Sequence, residues 1–255
     1  MPTLAAFLNL AVGITLLILA CYGLRALWVR AVPAKVLAWL IAPGVAVHEL
    51  SHALACLVTG AKIHSMVLFR PDGSGEVRHG PPKIKYVGEM LIGMAPLAGG
   101  TACLLLLGML LRSPVNLYDV RAQGVQPDQF VFAGQLASLI WQDLRLFFRL
   151  ESLADWRTWV FFYFAMCFTL SMAPSRQDLK NSAVGILIVC GVVLIVHLVV
   201  DRLIGARGDG PVFRSVAESV LMLHYPFAIC AISALLAGVL YLAGMPFRQG
   251  KRRRK

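Results

Sequence analysis

Three residues that could do chemistry stand in the stretch "VAVHELSHAL": His48, Glu49 and His52, inside a segment that otherwise reads as hydrocarbon. An ionisable residue at membrane depth is costly and is a functional candidate by default. Together the three form the pattern HExxH. On a helix, residues four apart share a face, so both imidazoles reach one metal ion. The glutamate beside the first histidine is then placed to hold and deprotonate a metal-bound water. Zinc lowers the pKa of such a water to about 7, which supplies hydroxide for amide hydrolysis at neutral pH. The competing account is a pair of core histidines bonded to helix neighbours. It leaves three polar groups hard to satisfy in lipid.

A catalytic zinc takes three protein ligands and keeps a fourth position open. The third ligand must lie at the depth of His48 and His52. Asp178, in "SMAPSRQDLK", arrives there after a run that travels in the same direction as the one carrying HELSH. Glu89, early in the following apolar run, is the rival, and Asp178 is preferred. His64, His79, His197 and His224 have no partner at metal spacing and are expected to be solvated, packed or hydrogen-bonded. Pro43 and Gly44, just before the motif, are placed to loosen the helix and admit water.

These groups must be positioned by membrane elements. Of the 255 residues, 58% are hydrophobic and 15% charged. A soluble domain carries about 25% charged residues. Six apolar runs approach or exceed a span, at about 4–29, 36–59, 87–111, 158–173, 183–200 and 216–243. The first run has no basic leader or small-residue cleavage site and reads as a retained helix. Between the second and third runs, β-branched and aromatic residues flank "PDGSG", a hairpin signal. A polar loop at 113–129 precedes an amphipathic stretch. There Leu136, Ile140, Leu144 and Phe147 oppose Gln135, Ser138, Gln142, Arg145 and Arg149, as in a helix lying in the interface or packed on the core.

The net charge of +11 is not a nucleic-acid signature, because the basic residues cap apolar runs and crowd the tail "RQGKRRRK". The positive-inside rule and an even span count place both termini in the cytoplasm. All six cysteines stand singly in apolar runs and read as small buried hydrophobes.

With these residues in view, the chain resembles the site-2 protease family of intramembrane zinc metalloproteases. The likeness spans about 36–180: HELSH in the second span, a membrane-associated hairpin, "IGMAPLAGG" in the third span, and a proline–aspartate motif after the fourth. The resemblance implies His48, His52 and Asp178 as ligands of one zinc ion, Glu49 as the base, and cleavage of membrane proteins in or near their transmembrane helices. Two motifs depart from the family pattern. Ala95-Pro96-Leu97-Ala98-Gly99 keeps only the proline of glycine-proline-x-x-asparagine. Ser171-Met172-Ala173-Pro174 replaces asparagine-x-x-proline, and Asp178 lies one position closer to the proline than usual with no glycine after it. A hydroxyl at Ser171 or Ser175 is placed to take over the binding of the substrate backbone, with Pro96 beside it. Otherwise both serines cap the end of the fourth helix.

The expected protein is an all-α polytopic membrane protein of about six transmembrane helices, with a small membrane-associated β-hairpin between helices 2 and 3. One metalloprotease domain covers 1–247, with its core at 36–180, the hairpin at about 62–79 and the interfacial helix at about 131–150. A basic tail at 248–255 follows. The expected function is an intramembrane zinc metalloendopeptidase of the cell membrane, acting on a membrane-protein substrate within the lipid bilayer and binding no nucleic acid. A hairpin edge at 63–69 is available to hold the unwound substrate by strand addition. The alternatives are an inactive scaffold of the same fold that binds transmembrane partners, and a metal transporter. The transporter would need more polar residues along a path through the bilayer than the first, fifth and sixth runs offer.

Overall fold

The computed structural model describes residues 2–111, 129–204 and 223–252. The order is α1 (Pro2–Ala31), α2 (Ala34–Leu40), α3 (Ala42–Thr59), β1 (Ile63–Val67), β2 (Glu76–His79), α4 (Lys85–Leu111), α5 (Gln129–Phe147), α6 (Leu150–Ala154), α7 (Trp156–Ser171), α8 (Arg176–Ile204) and α9 (His224–Arg252). The polar loop over 113–128, the start of the sixth apolar run at 216–222 and tail residues 253–255 lie outside the described residues, as do the side chains of Cys190 and His197.

The protein is a helical bundle with one two-stranded antiparallel sheet between α3 and α4. The six expected apolar runs each carry helix: α1, the pair α2–α3, α4, α7, α8 and α9. Among the described residues three helices are long and apolar enough to cross a membrane: Leu8–Ala31, Lys85–Leu111 and Pro226–Gly244. The number rises to five when two bent pairs each count as one span. The pair α2–α3 bends by 60°, and α7 with the first half of α8 bends by 71°. At the second bend the polar start of α8, from Arg176 to Asn181, separates the two apolar arms, and hydropathy marks that gap but not its angle.

Each bend has a local cause. Pro43 lies in the first turn of α3, where a missing N–H costs nothing but the preceding helix cannot run on. The Leu40 carbonyl at this break accepts from the Tyr163 hydroxyl at 3.1 Å and the Cys167 thiol at 3.2 Å, so this acceptor is not stranded. The second bend carries Pro174, which disfavours helical backbone at Ala173.

The two larger hydrophobic clusters among the described residues join α1, α3, α4, α7 and α9. Leu17, Cys21, Leu24 and Trp28 of α1 pack with Leu37, Ile41, Val45, Met166 and Leu170. Leu104 packs with Phe161, Phe168, Met172 and Ile229. The opposite face of α1 leaves Leu8, Val12, Leu16 and Leu19 exposed, as a lipid-facing surface does. On α5 the predicted apolar face is the inner one. Phe147 is buried against Phe162 and Ile232, with Leu144 beside it, and Asp143 bonds the buried His224 Nδ1 at 2.6 Å.

The hairpin follows the turn chemistry. Gly73 N–H donates to the Arg70 carbonyl at 2.8 Å, and Arg70 N–H to Ser74 O at 2.7 Å. Gly73 has φ of 82°, the left-handed position that closes a type I turn. Met66 pairs with Val77 and Val67 with Glu76. Arg78 and Arg70 both bond the Glu76 carboxylate, which holds it below the usual carboxylate range.

Helices meet closely where glycine removes the side chain. A methyl at Gly44 would strike the Cys167 carbonyl and Ser171 Oγ; at Gly99, Ser51; at Gly93, Ser182 Oγ and the Asp178 backbone. Thus α3 seats on α4 and α7, and α8 on α4. Gly93→Val should force α8 away from α4 and destabilise the protein by about 1–3 kcal/mol, the usual range for overpacking. Gly238→Ala, where a methyl meets nothing within 4 Å, should be neutral or slightly stabilising. Thermal melts of the purified variants in detergent check both.

Candidate metal centre

Helical spacing puts His48 and His52 on one face of α3, with their Nε2 atoms 3.2 Å apart. Each ring is turned by a carbonyl acceptor. His48 Nδ1–H donates to the Ser171 carbonyl at the end of α7. His52 Nδ1–H donates to the Ile92 carbonyl in α4 at 2.8 Å. A carbonyl only accepts, so both Nδ1 atoms carry the proton. In the neutral rings both Nε2 atoms then present lone pairs to one another. That arrangement is repulsive on its own and favourable when the two share a cation.

Asp178 closes the group. Its Oδ2 lies 3.7 Å from His52 Nε2, and one ligand atom from each of His48, His52 and Asp178 falls within 4.8 Å of the others. The carboxylate is fixed by its own helix start. Asp178 Oδ2 accepts the Ser175 N–H at 2.7 Å, while Ser175 Oγ accepts the Asp178 N–H at 3.1 Å. This reciprocal pair is a capping box, with Ser175 as the N-cap of α8 and Asp178 three residues on. Ser175 therefore caps the helix that follows the bend rather than the one before it.

The donor set suits a zinc-like ion. Zinc–nitrogen bonds of about 2.0–2.1 Å at tetrahedral angles put two nitrogens about 3.3 Å apart, close to the 3.2 Å here. Imidazole and carboxylate are borderline donors, and imidazoles whose second nitrogen is bonded to a carbonyl are oriented as metal-bound histidines are.

Glu49 is buried at 7% exposure. With His48 it lines a cavity of about 360 Å³. Four pieces of chain enclose it: α1 at Cys21, Tyr22 and Arg25; α3; the hairpin turn from Asp72 to Gly75; and the α7–α8 bend from Leu170 to Ser175. The Gly75 backbone rests against the Glu49 side chain, where a methyl would overlap it. The Tyr22 hydroxyl donates to the Pro174 carbonyl and ties α1 to the bend.

Of the remaining sequence candidates, Ser171 lines the cavity. Its Oγ is buried and has no hydrogen-bond partner among the described residues. Ser175 also lines the cavity, but its hydroxyl serves the cap. Pro96 is fully buried within α4 and is not part of the cavity lining. Glu89 is not a member of the ligand group. Sequence reading missed Arg25, Tyr22 and Gly75. Arg25 is among the basic residues that cap the apolar runs, and only tertiary contact brings these three to the cavity. The cap, by contrast, is legible as the pattern Ser-x-x-Asp in "SRQD".

Comparison with known families adds one match. Residues 16–116 match the Peptidase M50B-like family model. This is the site-2 protease-related family. The matched segment contains His48, Glu49, His52 and Pro96 and ends before Ser171 and Asp178. The likeness is to a family of metallopeptidase-type enzymes, which use a metal cofactor and act on membrane substrates. No match was found among curated proteins or among solved structures.

Ser175→Ala removes the cap hydroxyl and should cost about 0.5–2 kcal/mol, with the Asp178 carboxylate loosened. A lower melting temperature together with weaker metal retention is the expected result.

Proposed function

We propose that the protein is an intramembrane zinc metalloendopeptidase that hydrolyses peptide bonds in or near transmembrane segments of membrane proteins. The observation that carries this reading is the convergence of two imidazole lone pairs and a carboxylate beside Glu49, at the wall of a cavity.

In this reading His48, His52 and Asp178 hold one metal ion. When bound, zinc supplies a Lewis acid for the scissile carbonyl and a water acidified to near-neutral pKa. The chain's own groups do the rest. Glu49 accepts the proton of the attacking water and returns it to the leaving nitrogen as the carbon–nitrogen bond breaks. Ser171 Oγ and Arg25 line the same cavity, and Ser171 Oγ has no hydrogen-bond partner among the described residues. They serve as donors to the carbonyl oxygen as it gains charge.

A transmembrane substrate must unwind before it can react, because a helical amide is shielded by its own hydrogen bonds. The hairpin gives the unwound segment a place to extend. Among the described residues β1 is paired on one side only, by β2, and the hairpin turn lies at the cavity. A substrate strand added along the open edge of β1 would run toward Glu49.

Three outcomes are expected. Purified wild-type protein holds about one zinc per chain, Asp178→Ala loses it and Glu89→Ala keeps it, as read by elemental analysis. Glu49→Gln keeps the zinc and loses cleavage of a membrane-embedded peptide by at least about 100-fold, within the usual range for a removed proton-transfer group. Ser65→Pro or Met66→Pro in β1 impairs cleavage with zinc still bound; unchanged cleavage would dismiss the strand-addition step. Zinc retained in Asp178→Ala would dismiss the ligand set.

A further inference from the structure

Both imidazoles of the candidate metal centre rely on backbone carbonyls inside or at the end of helices, where carbonyls are normally taken. In an α-helix the carbonyl of residue i accepts from the N–H of residue i+4. Ile92 lies within the continuous helix α4, so the group that should cover its carbonyl is the N–H of residue 96. Residue 96 is Pro96, which has no N–H. A proline ring also pushes the carbonyl four residues back away from the helix axis. The Ile92 carbonyl is thus left without its helical donor, and the donor it meets is His52 Nδ1–H at 2.8 Å.

The second carbonyl is freed by related means. Ser171 ends α7, and its i+4 donor would be the N–H of Ser175. That N–H is instead turned to Asp178 Oδ2 at 2.7 Å. The i+3 donor, the alternative in a tightened last turn, is Pro174, which again has no N–H. His48 Nδ1–H fills the vacant acceptor. The same Ser175 N–H therefore fixes the carboxylate and, by its absence from α7, leaves the acceptor that orients the other imidazole.

We propose that Pro96 is a positioning residue of the metal centre: it withholds a backbone N–H from the Ile92 carbonyl so that this carbonyl can hold His52 with its Nε2 toward the ion. Pro96 does not touch the substrate. Its position, fully buried in α4 and outside the cavity lining, agrees with this division of labour. The inference rests on the metal-site reading given above and adds to it the origin of one imidazole's orientation.

The discriminating variant is Pro96→Ala. Alanine restores the N–H and is the best helix former, so α4 should become more regular and the protein at least as stable. A proline kept only for packing would show a fall in melting temperature, or no change in metal affinity. A positioning proline shows the opposite combination. Its melting temperature is unchanged or higher, and its zinc affinity is weaker by about 10–100-fold, the usual loss for a group that orients a ligand histidine. The measurement is zinc titration against a chelating indicator, on wild type and Pro96→Ala in the same detergent. A second measurement needs no variant. Nitrogen-15 histidine spectra of metal-free wild-type protein should show His52 protonated at Nδ1 and bare at Nε2.

Zinc affinity equal to wild type in a folded Pro96→Ala protein overturns the proposal and leaves the metal site standing. A wild-type His52 protonated at Nε2 also overturns it. A wild-type protein that binds no zinc overturns the metal-site reading itself, and the two failures are distinguishable by which sample fails.

Discussion

An imidazole at membrane depth needs an acceptor for its N–H, and in a helical bundle the acceptors are carbonyls that some helix has left unused. This constraint decides where the site can be. His48 finds such a carbonyl at the end of α7 and His52 finds one within α4. Both acceptors stand next to a proline in sequence or in helical register. The breaks and the proline turn are therefore part of the site's construction, since an unbroken helix in lipid has no backbone acceptor to offer. The bend before α8 adds a second benefit. It starts a new helix beside α3, and the first turn of that helix carries the carboxylate.

Bringing four helices to one point needs backbones closer than ordinary side chains allow. Gly44 lets α3 reach α7, Gly99 lets α4 accept Ser51 of α3, and Gly93 lets α4 accept the start of α8. Each contact lies within a turn or two of a residue of the site. Small residues at helix interfaces are the usual means of close association in membranes, where apolar side chains gain little by leaving lipid for one another. The same logic reaches the hairpin. The turn approaches Glu49 through Gly75, which has no side chain to collide with the carboxylate.

The meeting of His48 and His52 on one face of α3 was legible because HExxH is a local pattern whose geometry follows from helical periodicity alone. The hairpin was legible for a similar reason, since Pro-Asp-Gly fixes a turn within four residues. Asp178 was reached by counting spans, which puts the end of α7 on the same side as the later half of α3. What delivers Asp178 is the 71° bend at Pro174 and the cap at Ser175; hydropathy marks the gap there but not its angle, although the letters Ser-x-x-Asp were present. Arg25 and Gly75 were out of reach, because their role depends on α1 and the hairpin folding against α3 from far along the chain. The link between Pro96 and His52 crosses 44 residues and appears only when each carbonyl is asked for its donor.

The central claim is that His48, His52 and Asp178 ligate one ion, and X-ray absorption at the zinc edge tests it most directly. The account predicts two imidazole nitrogens and a carboxylate oxygen at about 2.0–2.2 Å with no sulfur neighbour. Thiolate scattering at about 2.3 Å, or a single imidazole, would contradict it.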